Sequence, residues 1–333
     1  MDHKLKILIM HRVCVMTDIS QYTIDPTVSA IYKHYQLSRF EGARTYLGAS
    51  IIGKTCSRAL WMDFRQVKAK MFDGRLYRLF ETGHLAEPRF IQNLRDVGVT
   101  VFDVDASTGE QWGVSFCGDH FRGHADGVAI GIKGVEKTWH LLEFKTHSEK
   151  SFNELKQKGV KTAKPMHYDQ MQVYMHGLEL TRAYYMAVNK NTDELYAERI
   201  KYEANHAKSL IERASRIIYA DVPDAPLSDK PSWYECRWCE YQSFCYAGDW
   251  ELPDVNCRTC IHSTPIADAA WQCERTTPAT LINTAKPCEH HRFIPHILPN
   301  LEFEHYADDK VFYRDRSGLV HINQSKGSFD VQA

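Results

Sequence analysis

The chain has almost no net charge: 41 lysines and arginines stand against 42 aspartates and glutamates in 333 residues. That balance excludes a bulk positive field as the means of gripping nucleic acid, so any basic surface must be local. A long apolar run is also missing. The early stretch Ile7-Leu8-Ile9-Met10 is far too short for a membrane span or the core of a signal peptide. The expectation is a cytosolic protein with no membrane partner. No internal repeat or low-complexity tract stands out. With 44% hydrophobic and 25% charged residues, disordered, collagen-like and coiled-coil architectures are excluded for most of the length. The length suggests about two domains, or one domain with attached modules.

Cysteine is what the chain has in plenty. Seven of its ten cysteines lie between Cys236 and Cys288. A reducing compartment disfavours a disulfide framework, and clustered cysteines there usually hold metal. Cys14 and Cys117 read most simply as packing residues.

Residues 1–45 give no clear period and read as an N-terminal arm. From Thr55 to Val97 the pattern is mostly helical, with a basic face of Arg58, Arg65, Lys68, Lys70, Arg75 and Arg78. Pro88 predicts a break or kink there, because proline biases the residue before it away from helix. Strands are predicted over 99–105, 111–117, 122–132 and 138–146. Helices follow near 148–158 and 166–180, then strands near 182–189 and 194–202 and a helix near 204–219. Central strands with helices on both sides predict a mixed α/β (α+β) layer fold. The proline-bearing segment 221–233 reads as a linker into the cysteine-rich region.

The segment from Gly123 to Lys145 carries the most chemistry. Asp126 opens one strand, while Glu143 and Lys145 lie two apart on the next and so share a face. Carboxylates on adjacent strands offer hard oxygen ligands to Mg²⁺ or Mn²⁺. A lysine beside them can orient an attacking water whose pKa the metal lowers. The plain structural alternative is a turn aspartate and an ion pair on a wet strand face.

The neighbouring motifs favour the chemical reading. Gly123-His124-Ala125-Asp126, then Glu143-Phe144-Lys145, then Gln170-Met171-Gln172-Val173-Tyr174 resembles the PD-(D/E)XK nuclease superfamily in its RecB-like branch. Upstream, Gly83-His84-Leu85-Ala86-Glu87 fits that branch's helical motif. The resemblance implies a restriction-endonuclease-like core that hydrolyses DNA with Mg²⁺ or Mn²⁺, in a bacterial or phage-infected cell. Asp126 and Glu143 would bind the metal, helped by the Phe144 carbonyl, and Lys145 would position the nucleophile. Glu87 or His84 would complete the metal shell. Gln170 and Tyr174 would orient Lys145 or a phosphate. The lysines at 150, 156, 158, 161 and 164 either grip phosphates or simply form a solvated face.

Cys236, Cys239 and Cys245 give C-x₂-C-x₅-C, and Cys56 lies far upstream. The resemblance extends to AddB-type nucleases, which implies that these four hold a [4Fe–4S] cluster clamping the two ends of the core. Spacing alone also allows a zinc ribbon pairing Cys236 and Cys239 with Cys257 and Cys260. If the split cluster holds, Cys257, Cys260, Cys273 and Cys288 remain as a second four-thiolate set suited to structural Zn²⁺.

Gly48 to Thr55 satisfies the G-x₄-G-K-[ST] phosphate-loop pattern, but the charged segment before it lacks the required strand. A helix cap before Cys56 explains the same glycines. The expected organisation is an arm (1–45), a nuclease core closed by an iron–sulfur cluster (46–250), a zinc-binding module (251–300) and a tail (301–333). The expected activity is a metal-dependent deoxyribonuclease, leaning to exonuclease action in recombination, repair or phage DNA processing, with a helicase or recombination protein as possible partner. The alternatives are a non-catalytic, metal-stapled DNA-binding module and a nucleotide hydrolase using Lys54.

Overall fold

The structure, a computed structural model, describes residues 25–39, 44–248 and 251–332. Cys14 and most of the expected N-terminal arm lie outside the described residues. Among those described, 25–39 and 71–81 form a small unit and the rest a large one.

In the small unit, helix α1 (Pro26–Ser38) starts at Asp25. The Asp25 carboxylate accepts from the amides of Thr27 (2.8 Å) and Val28 (3.2 Å), with Pro26 behind it at the first helical position. Both features suit a helix start. Tyr35 and Arg39 donate to Glu81. Gly74 lies so close to the α1 backbone that a Cβ would sit 1.7 Å from the Tyr32 carbonyl oxygen.

The large unit is built on a five-stranded mixed sheet. Its strands are β2 (Thr100–Phe102), β5 (Gly127–Ile130), β6 (His140–His147), β7 (Arg182–Asn189) and β8 (Leu195–Lys201), in that spatial order. Only β6 and β7 run parallel, and helices α4 (Glu149–Ala163) and α5 (Pro165–Gly177) connect them. A parallel pair needs such a crossover. Alternation along β6 feeds two cores. Leu141 joins a large cluster with Phe152, Met171 and Tyr185, whereas Leu142 and Phe144 join a smaller one with Phe90, Leu94 and Ala129. The expected mixed α/β layer fold is the observed one.

A second sheet has the order β1 (Leu47–Gly48), β4 (Phe121–His124), β3 (Gly113–Phe116). The strand expected over 122–132 is therefore two strands, β4 and β5, in different sheets. The chain changes sheets at Ala125-Asp126.

Helix α2 (Ser57–Phe64) and helix α3 (Gly74–Asp96) occupy the stretch expected to be mostly helical. The expected break at Pro88 does not occur, for α3 runs through it. Proline costs a helix interior about 3 kcal/mol. Beyond it Phe90 and Leu94 are buried, with Phe90 stacked on Phe144 at 4.9 Å. Two such burials, at about 1.5–3 kcal/mol each, offset that cost.

The expected basic face is also corrected. Arg58 and Arg65 are buried and spend their N–H groups on backbone carbonyls, Arg58 on His296 (2.6 Å) and Arg65 on Ser263 (3.1 Å). Lys68 pairs with Glu251, and Lys70 with Asp63 and Glu240. The periodicity was real, but guanidinium groups can also serve as buried cross-links between loops.

Helix α6 (Ala204–Tyr219) packs against α2 and α5. Three short strands follow, β9 (Ser263–Pro265), β10 (Trp271–Cys273) and β11 (Thr280–Leu281), in the order β11-β10-β9. The residues expected as a tail form a four-stranded antiparallel meander: β12 (Leu301–Ala307), β13 (Lys310–Asp315), β14 (Val320–Ser325) and β15 (Ser328–Gln332). Phe293, Ile297, Val311 and Tyr313 belong to the same core cluster as Trp61 and Phe64. Trp271 stacks on Phe64 at 5.4 Å.

Candidate active site and thiol sites

Alternation on β6 places Glu143, Lys145 and His147 on one face, and the crossover brings α5 over it. Glu143 is fully buried. One of its carboxylate oxygens accepts from the Lys145 ammonium and the other from Gln170 Nε2 at 3.2 Å. Gln170 Nε2 also lies 3.2 Å from the Tyr174 hydroxyl, one helical turn on. Asp126, at the sheet change, accepts from the Phe144 amide at 2.6 Å, which fixes it beside β6 within electrostatic reach of Glu143 and Lys145.

Glycine is required at position 123 for a reason the sequence conceals. A Cβ there would lie 2.4 Å from Tyr174 Cε1 and 2.6 Å from its hydroxyl oxygen. The tyrosine ring occupies the space a side chain would need.

The electrostatics follow from three carboxyls sharing one ammonium. Burial pushes the Glu143 carboxyl up to about 7, with Asp126 and Glu87 adding to the rise against the pull of Lys145. Burial likewise raises Asp126, opposed by Lys145 and by the Phe144 amide. Glu87 is raised by burial and by Asp126. Burial acts to lower Lys145, but Glu143, Asp126 and Glu87 outweigh it and hold the ammonium above its ordinary pKa. Glu87 is half-buried, whereas His84 is exposed and lies within electrostatic reach of both Glu87 and Asp126. A surplus of buried negative charge is an environment that favours a cation. The donors are hard oxygens, which fit Mg²⁺ or Mn²⁺.

One buried network escaped the sequence reading. The Tyr185 hydroxyl lies 2.8 Å from His147 Nε2 and 3.0 Å from His167 Nδ1. Tyr185 is the register partner of Glu143 on β7. Burial, reinforced by nearby lysines, depresses His147 to about 4 and His167 to about 3, so both rings are neutral at pH 7. A signal existed in the two-residue spacing from Lys145 to His147.

The basic stretch beside the site is largely paired. Lys156 meets Glu194, Lys158 meets Glu154, and Lys161 meets Glu203. At Gly48 to Thr55 the backbone carbonyls face inward. Arg213 donates to Ile52 O (2.7 Å), Lys54 O (2.6 Å) and Thr55 O (3.1 Å). A phosphate loop presents amides, not carbonyls, to its ligand. The segment instead leads into Cys56, whose Sγ caps α2 by accepting from the Ala59 amide at 3.4 Å.

Cys56, Cys236, Cys239 and Cys245 line one cavity of about 530 Å³. Cys257, Cys260, Cys273 and Cys288 line another of about 260 Å³. The zinc-ribbon pairing would need Cys236 and Cys239 beside Cys257 and Cys260, and the fold does not bring those pairs to one cavity. Burial pushes up the thiols of Cys239 and Cys245, and that of Cys257 to about 11. Ionising such thiols therefore calls for a bound cation. Among the described residues, no three histidine, cysteine or carboxylate side chains are drawn together closely enough to hold an ion as they stand. Cys117 is half-buried, its thiol directed at the Ile211 carbonyl.

Residues 41–246 match the pattern of the PD-(D/E)XK nuclease superfamily. No curated protein sequence matches the chain. Among solved structures, the alkaline exonuclease LHK-Exo from Laribacter hongkongensis is similar at 14% identity and a TM-score of 0.35. The alignment covers 56% of this chain and 90% of that one. The same enzyme in complex with dAMP gives a TM-score of 0.36 with equal identity and coverage. SSO0001 is similar at 12% identity and a TM-score of 0.38, covering 66% of this chain and 96% of that one.

Proposed function

Since this chain belongs to the PD-(D/E)XK nuclease superfamily, we propose that it hydrolyses phosphodiester bonds in DNA with Mg²⁺ or Mn²⁺, acting from DNA ends. The observation that carries this reading is the gathering of Asp126, Glu87 and the fully buried Glu143 around the half-buried Lys145. A surface ion pair needs neither burial nor three carboxyls.

In this reading Asp126, Glu143 and the Phe144 carbonyl hold the divalent ion, with Glu87 or His84 completing the set. When bound, the ion lowers the pKa of water and offsets charge on the scissile phosphate. Lys145 orients the attacking water and stabilises negative charge as it develops. Gln170 fixes Glu143 from behind and, with Tyr174, keeps the carboxylate from rotating away. The neutral imidazoles of His147 and His167 hold Tyr185 beside the β6 face without adding charge.

Cys56, Cys236, Cys239 and Cys245 hold a [4Fe–4S] cluster, a group that takes four cysteine thiolates. Joining Cys56 to the C-terminal three closes a very long loop, which constrains the unfolded chain. The setting proposed is recombination, repair or phage DNA processing, where any unwinding falls to a helicase partner.

The test is cleavage of labelled linear and covalently closed circular DNA, single- and double-stranded, with and without Mn²⁺. Metal-dependent shortening of linear DNA alone, lost in Lys145→Ala, is the expected result. Cleavage of circles would replace end-dependent action with internal cutting. Binding without any cleavage would leave a DNA-binding module in place of a nuclease.

A further inference from the structure

The cysteines from 257 to 288 lie beyond the residues that match the nuclease superfamily, so nothing about that family accounts for them. They reach their shared cavity from three separate pieces of chain. Cys257 and Cys260 begin and follow a single 3₁₀ turn, closed by the Cys260 amide on the Cys257 carbonyl at 3.1 Å. Cys273 ends β10, in register with Ser263 of β9 and Thr280 of β11. Cys288 lies in the loop that leads to His291, whose amide donates to the Cys288 carbonyl at 3.1 Å.

One further observation points to a ligand. The Cys260 sulfur accepts a hydrogen bond from the Arg292 amide at 3.5 Å. Amide donors aimed at sulfur stabilise a thiolate more than a thiol. His291, 1% exposed, lines the same cavity and is tied to the cysteine-bearing turn, its Nε2 lying 3.1 Å from the Thr259 hydroxyl.

The surroundings also explain why an ion is needed. The strands here are two or three residues long, too short to be stable alone. The turn carrying Cys257 and Cys260 is nevertheless fixed to the nuclease core, since Arg258 donates to Phe64 O at 2.9 Å and Thr45 O at 2.7 Å. The opposite loop is held at its edge, where Asp309 accepts from Arg275 (3.0 Å) and His290 (2.9 Å). The anchored turn meets that loop through the Cys257 amide on Thr284 O and the Ile261 amide on Arg292 O, both at 2.9 Å, and the cavity lies between them and β10.

We propose that Cys257, Cys260, Cys273 and Cys288 form a structural zinc site, separate from the Cys56 set, that staples the C-terminal strands to the core. Four soft donors and no open position suit a closed tetrahedral ion rather than a catalytic one. Rotation of the thiol side chains within the cavity brings the sulfurs onto the ion, and the four protons are released to solvent on binding.

The test is metal analysis of the full chain, purified anaerobically with zinc in the growth medium, beside the Cys257→Ser/Cys288→Ser double variant. About one zinc per chain is expected, falling at least tenfold in the variant while any iron is retained. Wild type without zinc, or a variant that keeps it, overturns the proposal. X-ray absorption at the zinc edge of wild type decides the matter even if the variant does not fold. Four sulfur neighbours at about 2.3 Å are expected, and a shell dominated by nitrogen and oxygen overturns the assignment.

Discussion

Glu143 shows at the scale of one residue how stability and function oppose each other. Its carboxyl is fully buried and pushed up to about 7, so at neutral pH the metal-free fold carries a cost that an amide would not. Gly123 shows the complementary case, in which a residue is fixed by what it lacks. A methyl group there collides with the Tyr174 ring. Overpacking of this kind costs about 1–3 kcal/mol. We predict that Gly123→Ala loses stability in that range, and that adding Tyr174→Leu restores part of the loss. Urea denaturation of the two single variants and the double would show this as non-additivity. The motif G-x-x-D was legible in the sequence. Its reason was not, because Tyr174 is 51 positions away and only the crossover from β6 to β7 brings it back. The spacing of Glu143 and Lys145 was legible directly, since strand alternation needs no tertiary information.

At the scale of elements, long periodic segments could be read and local exceptions could not. Helix α6 and strand β7 coincide with the sequence expectation. Pro88 did not end α3, because Phe90 and Leu94 beyond it pack into the cluster with Leu142 and Phe144, a burial that a window of a dozen residues does not show. Two glycines in helices make opposite predictions. Gly83 in α3 has nothing within 4 Å of the position of a Cβ, so Gly83→Ala should stabilise by about 0.5–1 kcal/mol. Gly159 in α4 sits at φ 71°, where a Cβ would approach Glu198 Oε2 to 3.3 Å. That carboxylate already accepts from the Val160 amide at 2.8 Å. Gly159→Ala should destabilise by about 1–3 kcal/mol, the cost of holding a side-chain-bearing residue at φ 71°, ψ 169°, a region that is essentially glycine's alone. Thermal unfolding of the two variants beside wild type checks both signs.

At the scale of the whole molecule, buried histidines set the response to acid. His147 and His167 are depressed to about 4 and 3 by burial, and His120 and His140 are lowered for the same reason. Between those values and the unfolded value of about 6.5, the unfolded chain binds more protons than the folded one. Stability therefore rises with pH in that window. The raised carboxyls of Glu143, Asp126 and Glu87 act in the opposite sense, but they are fewer. We predict a urea midpoint that falls as pH is lowered from 7 to 5, and a flat or rising midpoint would contradict this balance. The C-terminal meander was not legible at this scale. Its strands carry short, mixed patterns, and their apolar residues gain meaning only from the core they share with Trp61 and Phe64. The grouping of the cysteines into two sets was half-legible. Spacing allowed two pairings, and only the fold places Cys56 with Cys236 while keeping Cys257 apart.

A cation held at the buried carboxyl of Glu143 can be probed by one paired measurement. Thermal unfolding with and without Mn²⁺ is compared for wild type and Glu143→Gln, alongside cleavage of linear DNA by the same samples. Mn²⁺ is expected to raise the wild-type midpoint, the metal-free variant to be at least as stable as metal-free wild type, and the variant to gain little from Mn²⁺. Its cleavage rate should fall by about 10²-fold or more, in line with the loss of a group that acts in the transition state. A variant that cleaves DNA at the wild-type rate, or binds Mn²⁺ as wild type does, would contradict the assignment of this site.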